Sequence, residues 1–333
     1  MIGVSRSIQI HTQIFRNHRE MKMNPKVLAL ARISDGKASS SSYIAQWPRL
    51  TLYGDLDMRS FRNIWMLEEI RLPYTHIACK PWSRVAKSIH PLGKVPALMV
   101  DNWHATNEGG GGDTEAEGNN SFVVLESAAI NTFLGDVARE LAHQTFDTAK
   151  PMLVPPPATL QRAKHDMLSM FVMTEIDSQS LWIERKHGQL SDVFGDAPVA
   201  VQEAKRQFDN ALNLMVDEII TNNDRATSDM KYDGHYLLST GFSAVDILFA
   251  HCCSWAQQIG WLAQESVTLQ PSSLLVDGAN PNIQDNVTTQ STSPTPLAPE
   301  LAAYLERCHS RPAYLRAKEL RKNQVGRRTT SKL

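Results

Sequence analysis

The chain is poor in cysteine. Four stand among 333 residues, Cys79, Cys252, Cys253 and Cys308, at spacings that match neither a metal site nor a redox pair. Cys252 and Cys253 are adjacent and ill placed to bridge one another. The four read as reduced, buried thiols of an intracellular protein. No apolar run approaches the ~18 residues that a membrane helix needs, so nothing in the sequence is a candidate span. An excess of charge of one sign is missing too. Lys and Arg number 34 against 35 Asp and Glu, for a formal net charge of −1. No global field then draws the chain to nucleic acid or to a membrane surface, and any anion site must be local.

Acidic residues are scarce at one end. Residues 1–48 contain only Glu20 and Asp35, among basic residues and serines. That composition allows an organelle transit peptide. It also allows an unstructured leader, or an upstream start with Met21 or Met23 as the true first residue. The other end carries Ser331-Lys332-Leu333, the tripeptide read by a peroxisomal import receptor. Arg327 and Arg328 make residues 326–333 a basic, exposed tail. The two ends compete, and the C-terminal one is favoured. The expected location is the peroxisome, with the cytoplasm, or a mitochondrion or plastid, as alternatives.

What is present is ordinary for a soluble globular protein: 42% hydrophobic and 21% charged residues. The length fits two domains. Two stretches interrupt the pattern. Residues 103–120 hold Glu108-Gly109-Gly110-Gly111-Gly112-Asp113, and residues 264–298 are rich in Ser, Thr, Asn, Gln and Pro. Both read as solvated inserts. Between them lie periodic segments. Leu50-Thr51-Leu52-Tyr53 reads as a strand closed by Gly54-Asp55. A helix follows from Ser60, with Phe61, Ile64 and Trp65 on its buried face, Glu68 at the edge and Glu69 toward solvent. Leu72-Pro73 stops it. Tyr74–Ala78, Ala97–Val100 and Phe122–Leu125 read as strands, and Ser127 opens a further helix. The order β-α-β-(irregular)-β-β-α is that of a thioredoxin-like α/β domain. Downstream, Leu160, Ala163, Met167, Met170, Phe171 and Thr174 recur at helical spacing. So do Val201, Ala204, Phe208, Leu212 and Met215. The methionines read mostly as core, with a plastic substrate pocket as the other reading.

Two motifs carry chemistry. A proline directly before a strand, as in Val95-Pro96, need not donate to the ladder, and an X-Pro bond is cis at little cost. A cis bond here turns the Val95 N–H and C=O outward, free to pair with an extended peptide. Glu126-Ser127 stands at a helix start. There Ser serves as an ordinary cap, or with the free N–H groups forms an anion site. Lys94 adds a cation.

In this order and spacing the motifs resemble the glutathione transferase family, of the cytosolic, bacterial-like or theta-like type. The likeness covers about residues 49–320. Tyr236–Ile247 resembles the family's helical-domain motif. In it Ser243 reads as an N-cap, Asp246 as the partner in a capping box, and Phe242 with Ile247 as a hydrophobic staple. Leu301–Tyr314 resembles the family's terminal helices. The resemblance implies a thioredoxin-like glutathione-binding domain over residues 49–140, followed by an all-helical domain over 141–325. The Val95 backbone, Ser127, Glu126 and Lys94 are then expected to hold the tripeptide, its γ-glutamyl carboxylate, its ammonium and its glycyl carboxylate, with Pro96 and Arg59 also among the glutathione-binding residues. The electrophile, small and apolar, is expected between the domains. Homodimerisation and detoxification are family expectations. No metal and no cofactor beyond glutathione as co-substrate is implied.

Thiol activation departs from the family's serine-type pattern. A free thiol has a pKa of about 8.5, so a donor must favour its anion. Counting back from Arg62, the serine-type hydroxyl position falls on Met58, beside Asp57, and neither donates. Three substitutes remain: Ser60, Tyr53, and backbone N–H groups near the charge of Arg59. Ser60 is slightly favoured over Tyr53. No cysteine occupies residues 53–62, so a mixed-disulfide route lacks its nucleophile. The leading reading is a glutathione transferase. The alternatives are a glutathione-dependent isomerase or peroxidase on the same fold, and a non-catalytic glutathione-binding module.

Overall fold

Five short strands pair into one mixed sheet in the computed structural model. It describes residues 30–32, 48–101, 121–145, 151–225, 236–264 and 293–330. The strands are β1 (Leu30–Arg32), β2 (Arg49–Tyr53), β3 (Tyr74–Ile77), β4 (Ala97–Asp101) and β5 (Phe122–Leu125). They lie in the order β1-β3-β2-β4-β5. Only β2 and β3 are parallel, and a parallel pair needs a crossover. Helix α1 (Ser60–Ile70) supplies it, α2 (Arg84–Ile89) leads toward β4, and α3 (Ser127–Thr145) follows β5. This is the thioredoxin-like order expected from the sequence, with one addition. Within the N-terminal 48 residues, Leu30–Arg32 pairs antiparallel with the edge of β3. The insert 103–120 and most of the insert 264–298 fall outside the described residues.

The remaining helices are α4 (Leu160–Phe171), α5 (Ser191–Phe194), α6 (Pro198–Arg225), α7 (Ala244–Gln258), α8 (Pro299–His309) and α9 (Pro312–Thr330). After α4 the chain continues in π-helical geometry through Val172–Leu181 and Arg185–Gln189, with a single α-helical turn, Trp182–Glu184, between them. One compact unit takes the described residues up to Pro157 together with those after His309. The second is Ala158–His309. Helix α9 therefore belongs to the unit that holds the sheet, and it runs on through Thr330.

Helix α1 shows why. Ser60–Leu67, Glu69 and Ile70 are all buried, because α9 covers the side turned away from the sheet. Tyr314 stacks edge-on against Phe61 and Trp65. Glu69, expected in solvent, is buried. It takes a bidentate ion pair from Arg311 at 2.7 and 2.9 Å and a hydrogen bond from Trp65 Nε1 at 3.1 Å. Arg316 reaches Glu68 at 2.6 Å. Buried carboxylates persist only when paired in this way.

In the helical unit, Ala204, Phe208, Leu212 and Met215 are buried as their spacing predicts. The stripe chosen on α4 is not. Leu160, Met167 and Met170 are exposed, and the packed face is His165, Leu168, Ser169 and then Val172. A histidine can take a core position there because Asp166 engages its Nδ1 at 2.9 Å. The box at the start of α7 forms as read: Asp246, fully buried, accepts the N–H of Ser243 at 2.8 Å.

Candidate functional site

The register of the sheet brings the separate motifs together. Tyr53 pairs with Ile77 on one side and with Ala97 on the other, and Ala97 pairs with Leu125. These residues form one row at one end of the sheet. Just beyond the row lie the Gly54–Arg59 loop, the Val95–Pro96 peptide and the Glu126–Ser127 step into α3.

The Val95–Pro96 bond is cis. Among the described residues the Val95 N–H and C=O enter no hydrogen bond, so both remain available to an extended peptide. Ser127 is buried at the first turn of α3. Its Oγ accepts from Arg62 Nη1 at 3.2 Å, and its carbonyl accepts from Asn63 Nδ2 at 2.9 Å. A fully buried guanidinium thus backs the N-terminus of a 19-residue helix, and both favour a negative charge at that point. Glu126 is exposed and left-handed at φ 69°, with its carbonyl accepting the Ile130 N–H at 2.9 Å. A non-glycine residue held there costs about 1–3 kcal/mol and marks a position that its surroundings enforce. Lys94 is exposed.

Three neighbours of this site were missed in the sequence. Arg62 entered only as a landmark for counting. It and Asn63 are a polar pair set between Phe61 and the apolar run Ile64–Leu67, which was a usable signal. His90 is the third. It is buried, and its Nδ1 accepts the Leu92 N–H at 3.0 Å. Burial lowers its pKa, Lys94 adds to that and Glu126 opposes it.

The activation candidates separate. Ser60 is not the helix cap: Arg59 holds that position, in α geometry and with no side-chain capping bond. Ser60 opens α1 and is fully buried, and its hydroxyl has no partner. It lies against Gly54, whose φ is 154°. A Cβ placed on Gly54 falls 1.9 Å from Ser60 Oγ and 3.4 Å from the Val95 Cβ. Only glycine fits between the hydroxyl and the cis-peptide segment. Tyr53 is packed in an apolar cluster with Cys79, Ala86, Ile89 and Ala97, against which Val95 and Leu125 lean. Burial, with Asp101 and Cys79 adding, pushes its pKa up to about 12. Asp57 pairs with Arg321 at 2.8 Å.

The loop also carries a pH dependence. His76 Nε2 donates to the Gly54 carbonyl at 2.9 Å, which the neutral ring does while it keeps that proton. Burial lowers the His76 pKa; the bond to Gly54 and the charge of Asp55 oppose it. A base whose folded pKa lies below its unfolded one binds fewer protons when folded, so stability falls as the pH drops below about 6.5. Thermal melts between pH 7.5 and 5 are expected to show that loss. His76→Gln, which keeps a donor but does not titrate, is expected to reduce it. Equal pH slopes for the two proteins count against the assignment.

Residues 59–137 match the family model "Glutathione S-transferase, N-terminal domain". The fold is that of the glutathione transferases. The matched stretch contains Ser60, Arg62, Asn63, His90, Lys94, Val95, Pro96, Glu126 and Ser127, but not Tyr53 or Gly54. Among solved structures, a glutathione transferase of Methylococcus capsulatus is 17% identical, with 82% of this chain and 98% of that chain covered at a TM-score of 0.50. The transferase URE2P8 of Phanerochaete chrysosporium, crystallised with oxidised glutathione, is 16% identical over 84% and 97% at 0.50. Ure2p in complex with S-hexylglutathione is 15% identical over 81% and 97% at 0.53. No curated protein matches the chain. Among the described residues no group of three His, Cys, Asp or Glu side chains is placed to hold a metal ion, and no helix is long and apolar enough to cross a membrane.

Proposed function

We propose that this chain binds glutathione at the Val95, Glu126 and Ser127 end of its sheet and transfers the thiol to a small apolar electrophile. The observation that carries the reading is the convergence of two complementary features. An unpaired backbone edge at the cis Val95–Pro96 peptide adjoins a helix N-terminus backed by Arg62. Glutathione is an extended peptide with a carboxylate and an ammonium at one end and a carboxylate at the other. Val95 pairs with its cysteinyl backbone as an added strand would. Ser127 and the α3 N–H groups take the γ-glutamyl carboxylate, Glu126 takes the ammonium, and Lys94 meets the glycyl carboxylate. The family match over residues 59–137 supports the same ligand.

For activation, the unpartnered Ser60 hydroxyl is the better candidate. A buried hydroxyl without a partner forfeits about 1–3 kcal/mol, which a thiolate bound beside it returns as a hydrogen bond. Tyr53, held in an apolar cluster, is the lesser candidate. The chain should be retained on immobilised glutathione and should conjugate a chlorodinitrobenzene-type electrophile. Ser60→Ala is expected to lower the rate about tenfold, equivalent to ~1.4 kcal/mol, and Tyr53→Phe to lower it less. No retention removes the glutathione reading itself. An unchanged rate in both variants removes the hydroxyl assignment.

One observation favours a second reading, a glutathione-binding module without turnover. The position where serine-type relatives carry their hydroxyl holds Met58, which cannot donate, and its neighbour Asp57 is already engaged by Arg321. Retention without conjugation selects it.

A further inference from the structure

The loop that precedes α1 is gripped from the far end of the chain. Asp55 is buried and organises the turn: its Oδ1 accepts the Asp57 N–H at 3.0 Å, and its carbonyl accepts the Met58 N–H at 3.0 Å. Gln324, on α9, meets this turn with both ends of its carboxamide. Its Nε2 donates to Asp55 Oδ1 at 2.9 Å, and its Oε1 accepts the Leu56 N–H at 3.2 Å. One turn earlier on α9, Arg321 pairs with Asp57 at 2.8 Å and lies 5.8 Å from the Phe61 ring. Phe61 in turn packs on Tyr314 of the same helix. A single side chain 268 positions away thus holds two consecutive loop residues.

The geometry points to Gln324 as a positioning residue for the glutathione thiol, acting through the Gly54–Arg59 loop on the first turn of α1. The loop sets the direction of the first N–H groups of α1, the positive end of its dipole. It also presses Gly54 against the Ser60 hydroxyl and the Val95 segment. A carboxamide suits this role because it donates to Asp55 and accepts from Leu56 at once. An apolar residue does neither, and a carboxylate at 324 faces the Asp55 carboxylate. The inference rests on the glutathione reading above, but it concerns alignment of the thiol rather than the grip on the tripeptide. None of the tripeptide-holding residues proposed above touches Gln324.

The test uses the full chain and compares Gln324→Ala and Gln324→Glu with a control, Asn323→Ala, at the exposed neighbouring position. Hydrogen exchange of the unliganded proteins is read over residues 54–62. The Gln324 variants are expected to exchange at least fivefold faster there, and the control as wild type. Glutathione affinity is read by calorimetry and is expected to stay within twofold. The thiolate absorbance of bound glutathione is then titrated. The Gln324 variants are expected to need about one pH unit more, a tenfold loss of thiolate at a given pH. Gln324→Glu keeps an acceptor for Leu56, so it serves where the alanine variant folds poorly. Unchanged exchange and an unchanged thiolate titration overturn the proposal, as does a lower titration midpoint, which marks the clamp as an obstruction. Loss of affinity with an unmoved titration overturns it as well, by assigning Gln324 to binding. Wild-type protein that binds no glutathione overturns the parent reading and this one together; binding with an indifferent Gln324 overturns this one alone.

Discussion

Asp246→Ala is expected to destabilise the helical unit by about 3–5 kcal/mol, the range for breaking a buried hydrogen-bonded network on one side. The carboxylate is fully buried and lies where four donors converge. The Leu237 N–H reaches it at 3.0 Å, the Ser243 N–H at 2.8 Å, the Ser243 hydroxyl at 2.7 Å and the Tyr304 hydroxyl at 2.9 Å. Burial outweighs the opposing hydrogen bonds and leaves the carboxyl's pKa raised. Alanine leaves those donors facing one another inside apolar packing that includes Phe249 and Tyr304. Denaturant unfolding of the variant checks the size. Asp246→Asn keeps one acceptor oxygen and is expected to lose less. A loss under 1 kcal/mol for the alanine variant means that water reaches the vacated donors, and Asp246 is then a local cap rather than the centre of a network.

This network also marks how far the sequence could be read. Ser243 and Asp246 stand three residues apart, and a capping box is a local arrangement, so the pair was legible. The bonds to Leu237 and Tyr304 were not, since Tyr304 lies 58 residues on. The same division runs through the rest of the chain. The succession of strands along the chain and the helix at Ser60 followed from periodicity and from Leu72-Pro73. Glu69 was misplaced into solvent because a helix pattern assumes one wet face, and α1 has none: its partner Arg311, directly before the covering helix, lies 242 residues later. On α4 the more apolar stripe lost to one holding His165 and Ser169, because hydropathy does not register a histidine whose ring finds Asp166.

The candidate site divides likewise. Val95-Pro96 and Glu126-Ser127 were visible as words in the sequence, and the pairings Tyr53–Ala97–Leu125 explain why they belong together. Ser60 was chosen for its hydroxyl. That the hydroxyl has no partner and is wedged against Gly54 depends on packing that no local pattern encodes. Arg62 and Gln324 belong to the same class: each acts on a segment remote in sequence, 65 and 268 positions away respectively.

Ser127→Ala is expected to weaken glutathione binding by about 2 kcal/mol, roughly thirtyfold, the size of a hydrogen bond to a charged group. The argument is electrostatic. With Arg62 Nη1 donating to Ser127 Oγ, the serine hydrogen is free to point the other way, toward a carboxylate at the start of α3. Under the proposed binding mode the hydroxyl would relay a buried positive charge to the ligand, in addition to its own bond. Lys94→Ala, by contrast, removes an exposed cation, for which about 1 kcal/mol or less is expected. Calorimetry on both variants separates the two ends of the tripeptide. The salt dependence should divide them as well, because exposed pairs are screened and buried ones much less so: the Lys94 contribution should fade between low and high ionic strength, and the Ser127 contribution should persist. If Ser127→Ala binds as tightly as wild type while remaining folded, the carboxylate does not sit at the α3 terminus. The left-handed Glu126 and the buried Arg62 are then parts of a packing arrangement alone. If the loss appears and survives high salt, the buried guanidinium, the helix start and the cis-peptide edge act as one binding unit.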